Sequence, residues 1–306
     1  MTIPLINKIV SLALIMAMGF LLVKLKILKA EDSKGLSTLS MYLILPCTII
    51  NAFQVDYTPE VQNGLLLAFA ASAIIHVLLI LLNVILKRLL HLDALEQVSV
   101  MYSNAGNLII PLITATLGKE WVIYTSGFIV VQLILIWSHG KSTLCEEKGF
   151  NPKKVFLNIN MITIFVGIVL FFTKIRLPAI LQDTTDTIGS MVGPVAMLVT
   201  GMLIGNMDLK KILSYRRVWL VAALRLLLVP LLMLAFLKYS GIAKWTPDGA
   251  DVLLVTFLAT TTPSASTLVQ FSQVYGKDAG YASAINVITT LLCILTIPLM
   301  VMLYQL

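Results

Sequence analysis

The chain has 306 residues, of which 58% are hydrophobic and 12% charged, against about 25% charged in a soluble domain. With mean hydropathy +0.95, its surface is too poor in charge for water, and lipid is the expected solvent. The net charge of +7 is spread over short gaps between apolar runs and forms no single basic face, which argues against nucleic-acid binding.

A bilayer core of about 30 Å needs about 20 apolar residues per helix. The first half offers spans at 4–23, 36–54, 65–86, 97–117 and 121–139; the second at 156–173, 188–206, 218–238, 252–272 and 279–304. The run from Pro4 lacks a basic leader and a small-residue cleavage site, so it is expected to stay as a helix. Fifteen Lys and Arg residues fall in alternate gaps on one side, among them Lys24, Lys87, Lys141, Lys148 and Lys210. Six fall on the other side: Lys8, Lys119, Lys174, Arg176, Lys238 and Lys244. The basic side is expected to be cytoplasmic, which leaves both termini extracytoplasmic. A plasma (inner) membrane location is expected.

Features recur at an offset near 150 residues. Prolines interrupt the second and seventh spans (Pro46, Pro194) and the fourth and ninth (Pro111, Pro263), and span starts match at Pro4 and Phe156, and at Leu65 and Val218. Because five spans is an odd number, the second copy enters the membrane from the opposite face. The expected fold is all-α: ten transmembrane helices in two inverted five-helix repeats, 1–140 and 156–306, joined by a cytoplasmic linker at 141–155. Helices 4 and 9 are expected to be broken at their prolines. Inverted repeats with matched broken helices are the sequence sign of a secondary transporter.

The fourth span holds Ser103, Asn104, Ala105, Gly106 and Asn107, with Pro111 four residues beyond. Such groups are costly in hydrocarbon unless they line a cavity or bond between helices. The ring of Pro111 would clash with the carbonyl of Asn107. In the ninth span Thr260, Thr261, Thr262, Ser264, Ser266 and Thr267 surround Pro263. Asn104, Asn107, Thr261, Thr262 and Ser264 are the candidate substrate ligands, with Gly106, Pro111 and Pro263 shaping the crossover. Half-helix N-termini at such breaks suit an anion.

Arg225 is the Lys or Arg placed well inside a span, and it suits either a substrate counter-charge or bonds to carbonyls of a broken helix. No Asp or Glu is expected deep within a span, so the substrate is expected to be an anion. His76 is a candidate for proton handling. Asn51, Asn83, Gln132, Gln270 and Asn286 suit interhelical bonding, and Gly201 with Gly205 forms a small-residue packing face. No HExxH, GxSxG, phosphate loop or paired intramembrane aspartate is present, so an enzyme is not expected. Cys47, Cys145 and Cys293 have neither disulfide nor zinc spacing. No cofactor or metal is expected.

Leu45-Pro46, Asn104 seven residues before Pro111, Thr262-Pro263, Val274-Tyr275-Gly276 and Ile297-Pro298-Leu299 stand in an order that resembles the auxin efflux carrier family, whose plant members are the PIN proteins. The resemblance spans essentially the whole chain. Ile109 stands where the family often has glycine, and the long cytoplasmic loop of the plant members is missing, as in bacterial malate and malonate permeases. The resemblance implies substrate bound beside two proline crossovers, at Asn104, Pro111 and Pro263. It also implies elevator motion of helices 3–5 and 8–10 against helices 1, 2, 6 and 7. The expected substrate is a small organic anion such as malate or malonate, with H+ or Na+ as coupling ion and a homodimer suited to the scaffold. An auxin-like aromatic acid, or a sensor or channel on the same fold, are the alternatives.

Overall fold

A computed structural model describes residues 2–145, 156–206 and 214–306. Most of the expected linker (146–155) and the basic pair Lys210 and Lys211 lie outside the described residues. Among the described residues the chain is all-helical, with no strand. In chain order the helices are α1 (Thr2–Lys24), α2 (Ala30–Ala52), α3 (Pro59–Leu90), α4 (Ala94–Met101), α5 (Ala105–Thr116) and α6 (Lys119–Leu144). Then follow α7 (Ile159–Thr173), α8 (Ala179–Gly205), α9 (Arg216–Tyr239), α10 (Gly249–Thr261), α11 (Ser266–Val274) and α12 (Ala279–Gln305).

Helices α2, α3, α6, α8, α9 and α12 are long and apolar enough to cross a bilayer, while α7, α10 and the 10–24 stretch of α1 are shorter apolar helices. Large side chains such as Leu14, Leu81, Phe165, Ile180 and Leu295 stand exposed on these helices. In water they would be a liability; in hydrocarbon they are the solvated surface. The chain is a multi-pass membrane protein.

Prolines act locally and differently from one another. Pro46 does not interrupt α2. The turn ahead of it, Ser40–Ile44, widens, so that the Leu45 N–H reaches the carbonyl of Ser40 five residues back. The same happens at Leu224–Leu228, ahead of Pro230, where the Val229 N–H reaches Leu224. Proline lacks an N–H and its ring pushes away the carbonyl four residues earlier. A widened turn absorbs both defects without ending the helix. Arg225 lies in the second of these turns.

Two packing groups result. Helix α1 lies along α8, and α2 packs on α7 and α8; separately, α3 packs on α6 and α10, α9 on α10 and α12, and α11 on α12. Helices α5 and α12 touch α1, and α5 also touches α8, across the seam between the groups. The α1–α8 contact is backbone-close. A Cβ at Gly201 would collide with the Met16 carbonyl, one at Gly19 with the Leu198 carbonyl, and one at Gly205 with Val23. The small-residue face of Gly201 and Gly205 is therefore a packing face.

Candidate functional site

The expected fourth and ninth spans are each two helices, and their breaks meet. Helix α4 stops at Met101, Tyr102 is extended (φ −98°, ψ 128°), and α5 begins at Ala105. Helix α10 stops at Thr261, and Thr262 is extended (φ −71°, ψ 156°) before Pro263. A residue preceding proline is driven out of the helical region by the proline ring, so the sequence sets this break directly. The two extended pieces pair antiparallel at Ser103 and Ser264. The Asn104 N–H donates to the Pro263 carbonyl at 2.7 Å, and the Ala265 N–H to the Tyr102 carbonyl at 3.0 Å.

Pro111 departs from expectation. It sits inside α5, which runs on from Ala105 to Thr116, seven residues past the break at 102–104. The break belongs to the backbone around Ser103, because pairing with the extended segment around Pro263 supplies hydrogen bonds that a helix would otherwise provide. Pro111 instead presses on α8, where a Cβ at Gly193 would come within 2.9 Å of the Pro111 Cβ.

Each break is satisfied by the neighbouring helix. Gln132 of α6 serves Ser103: its Oε1 accepts from the Ser103 N–H (3.0 Å) and hydroxyl (2.8 Å), and its Nε2 donates to the Ser103 carbonyl (2.8 Å). On the other side Asn286 of α12 donates to the Ser264 carbonyl at 2.7 Å, and the Thr289 hydroxyl accepts from the Ser264 N–H at 3.2 Å. Gln132 and Asn286 thus do bond between helices, and they do so at the breaks.

Arg225 is fully buried. Its Nε donates to the Thr262 carbonyl at 3.1 Å and its Nη1 to the Val100 carbonyl at 3.2 Å. These carbonyls lie at the C-terminal ends of α10 and α4, where the helix dipoles are negative. One guanidinium therefore holds both negative ends together. Its Nη2 has no hydrogen-bond partner among the described residues.

The remaining candidates divide. The hydroxyls of Thr260, Thr261 and Thr262 each donate to a carbonyl three residues back in their own helix, those of Phe257, Leu258 and Ala259. Asn104 is half-buried and accepts from the Ser266 hydroxyl at 3.4 Å. Neither Asn104 nor Ala265 caps the helix that follows it with a side-chain bond. Helices α5 and α11 therefore begin at the crossing with first-turn N–H groups uncapped by those side chains. The side chain of Asn107 lies outside the described ones, and Gly106 carries none. His76 is buried against Phe128 (ring centroids 4.7 Å) with Nδ1 2.7 Å from the Ser72 carbonyl. That nitrogen must be the donor, since a carbonyl only accepts.

One acid just outside the expected spans is buried by the protein, in the first turn of α4. Glu96 is fully buried. It accepts from Arg217 Nη2 at 2.7 Å and from the Tyr281 hydroxyl at 2.7 Å, and it closes a capping box with Asp93. Burial of its charge is compensated by those donors, and the network ties α4, α9 and α12 together. The Asp-x-x-Glu spacing of Asp93 and Glu96 was the signal; it sat one residue outside the expected fourth span.

A cavity of about 800 Å³ opens in the seam between the packing groups. Thr48 and Asn51 of α2, Gln54 just beyond its end, and Asp183, Asp186 and Gly193 of α8 form one wall; Ile110, Pro111 and Thr114 of α5 and Lys119 form the other. Of the expected site residues Pro111 lines it, whereas Asn104, Thr261, Thr262, Ser264 and Arg225 do not. Lys119 Nζ bridges the two walls to Asp186, at 2.7 and 3.0 Å from its two carboxylate oxygens. The sequence flagged neither partner, since both read as loop charge.

Two stretches of the chain, residues 4–149 and 145–301, match the family described as membrane transport protein. No curated protein matches it significantly. The matched stretches together take in nearly the whole sequence, and the chain belongs to the membrane transport protein family, that of the auxin efflux carriers.

Proposed function

We propose that the protein is a secondary carrier that moves a small organic anion, such as malate, malonate or a related carboxylate, across the plasma membrane. In this reading the chain crosses the bilayer ten times as two inverted repeats, 1–140 and 156–306. The pairs α4–α5 and α10–α11 are the broken fourth and ninth helices. The junction of the two matched stretches, at 145–149, falls within the proposed linker 141–155 and supports that division.

The observation that carries the anion reading is the electrostatic arrangement of the crossing. Four half-helix ends meet there. Arg225 takes up the two negative ones through the carbonyls of Val100 and Thr262, which leaves the two positive ends, at α5 and α11, to face a ligand. Asn104 stands at the start of α5 and Ser264 two residues before α11, both beside those ends, and Asn107 follows in the first turn of α5.

An elevator motion suits the two packing groups, with α3–α6 and α9–α12 moving against α1, α2, α7 and α8. The seam between them holds the cavity and a proline face on glycine (Pro111 on Gly193), with few polar ties to break. The reading is tested at Asn104. Asn104→Ala should cut uptake of labelled malate or malonate into liposomes while membrane insertion and the folded state persist. Unchanged uptake kinetics would remove Asn104 from the site.

A further inference from the structure

Arg225 is spent on carbonyls and lies away from the open cavity, so a substrate anion arriving there meets a different cation. Lys119 is the one basic side chain lining the cavity among the described residues, against the carboxylates of Glu120, Asp183 and Asp186. Left as it stands, the rim repels anions. Lys119 is held by Asp186, and the two side chains remain 67% and 46% exposed. An ion pair so exposed contributes little net stability, because water screens it and two long side chains must be ordered to form it. Another carboxylate therefore replaces Asp186 at little cost.

We infer that Lys119 selects the substrate in this cavity by exchanging the carboxylate of Asp186 for that of the incoming anion. The inference rests on the anion-carrier reading and adds to it a specificity-determining residue remote from the crossing. Exchange also releases the tie between α6 and α8, which belong to different packing groups. Substrate capture and freedom of the seam to move are then one event.

The two partners of the ion pair should act in opposite directions. Lys119→Gln should raise the KM for malonate or malate about tenfold, the loss of one bond to a charged group, with maximal rate nearly kept. Lys119→Arg should restore it. Asp186→Asn frees Lys119 and should lower KM by about two- to fivefold. Asp183→Asn removes the same charge without freeing Lys119 and should lower it less. As a check independent of turnover, malonate should protect Lys119 from an amine-acylating reagent. If the pair is only a strut, Lys119→Gln and Asp186→Asn will shift KM together or leave it unchanged, and malonate will give no protection; either result overturns the inference while wild-type uptake leaves the carrier reading intact. Failure of the wild-type protein to take up either acid overturns both.

Discussion

At the scale of single residues, the polar groups inside this membrane protein are mostly committed to backbone. Arg225 bridges two helix ends, Gln132 closes around Ser103, and Asn286 with Thr289 closes around Ser264. Removing any of them leaves buried backbone groups unpaired, at about 1–3 kcal/mol each. Gln132→Ala should therefore destabilise the detergent-solubilised protein by about 2–4 kcal/mol, read as a lower melting temperature. Arg225→Gln should cost about 2–5 kcal/mol and depress uptake of neutral and anionic solutes alike. Loss confined to anions would instead make Arg225 a substrate contact. The sequence marked these residues as unusual, because polarity in hydrocarbon is visible in any window. It did not show that the hydroxyls of Thr261 and Thr262 turn back onto their own helix, since that depends on the helix ending just there.

At the scale of elements, four of the prolines act in three ways. Pro263 ends a helix through the residue before it, Pro46 and Pro230 are absorbed by widened turns, and Pro111 rides inside α5. A sequence shows where a proline is but not which way its defect is resolved, and the break of the fourth span consequently lies at Ser103 and not at Pro111. Pro263→Ala should misplace the crossing and reduce uptake on the order of tenfold or more, whereas Pro111→Ala should leave α5 intact and uptake close to unchanged. Equal losses would place the fourth-helix break at Pro111 after all. The glycine face was fully legible, since close helix approach needs small residues at that spacing. Gly201→Leu should force α1 from α8 and cost at least about 1–3 kcal/mol, measurable as a reduced yield of folded protein.

At the scale of the whole molecule, hydropathy located almost every apolar run, because a bilayer imposes its thickness on each one. What it could not locate was the seam. That the chain sorts into α1, α2, α7 and α8 against α3–α6 and α9–α12 follows from long-range packing, and the resemblance to a known family was needed to expect it. The cavity lies in this seam and carries Lys119, which the sequence reading used for topology alone, and Asp186, which it left unmarked. The crossing supplies positive helix ends, and the seam holds the cavity. The central claim is that these two features together carry a small organic anion. It is tested most directly by reconstituting the purified protein in liposomes and measuring uptake of labelled malate, malonate and an indole acid, with and without proton and sodium gradients. Saturable uptake of malate or malonate that responds to one of the gradients is expected. Absence of saturable uptake of every acid by demonstrably folded protein would contradict it.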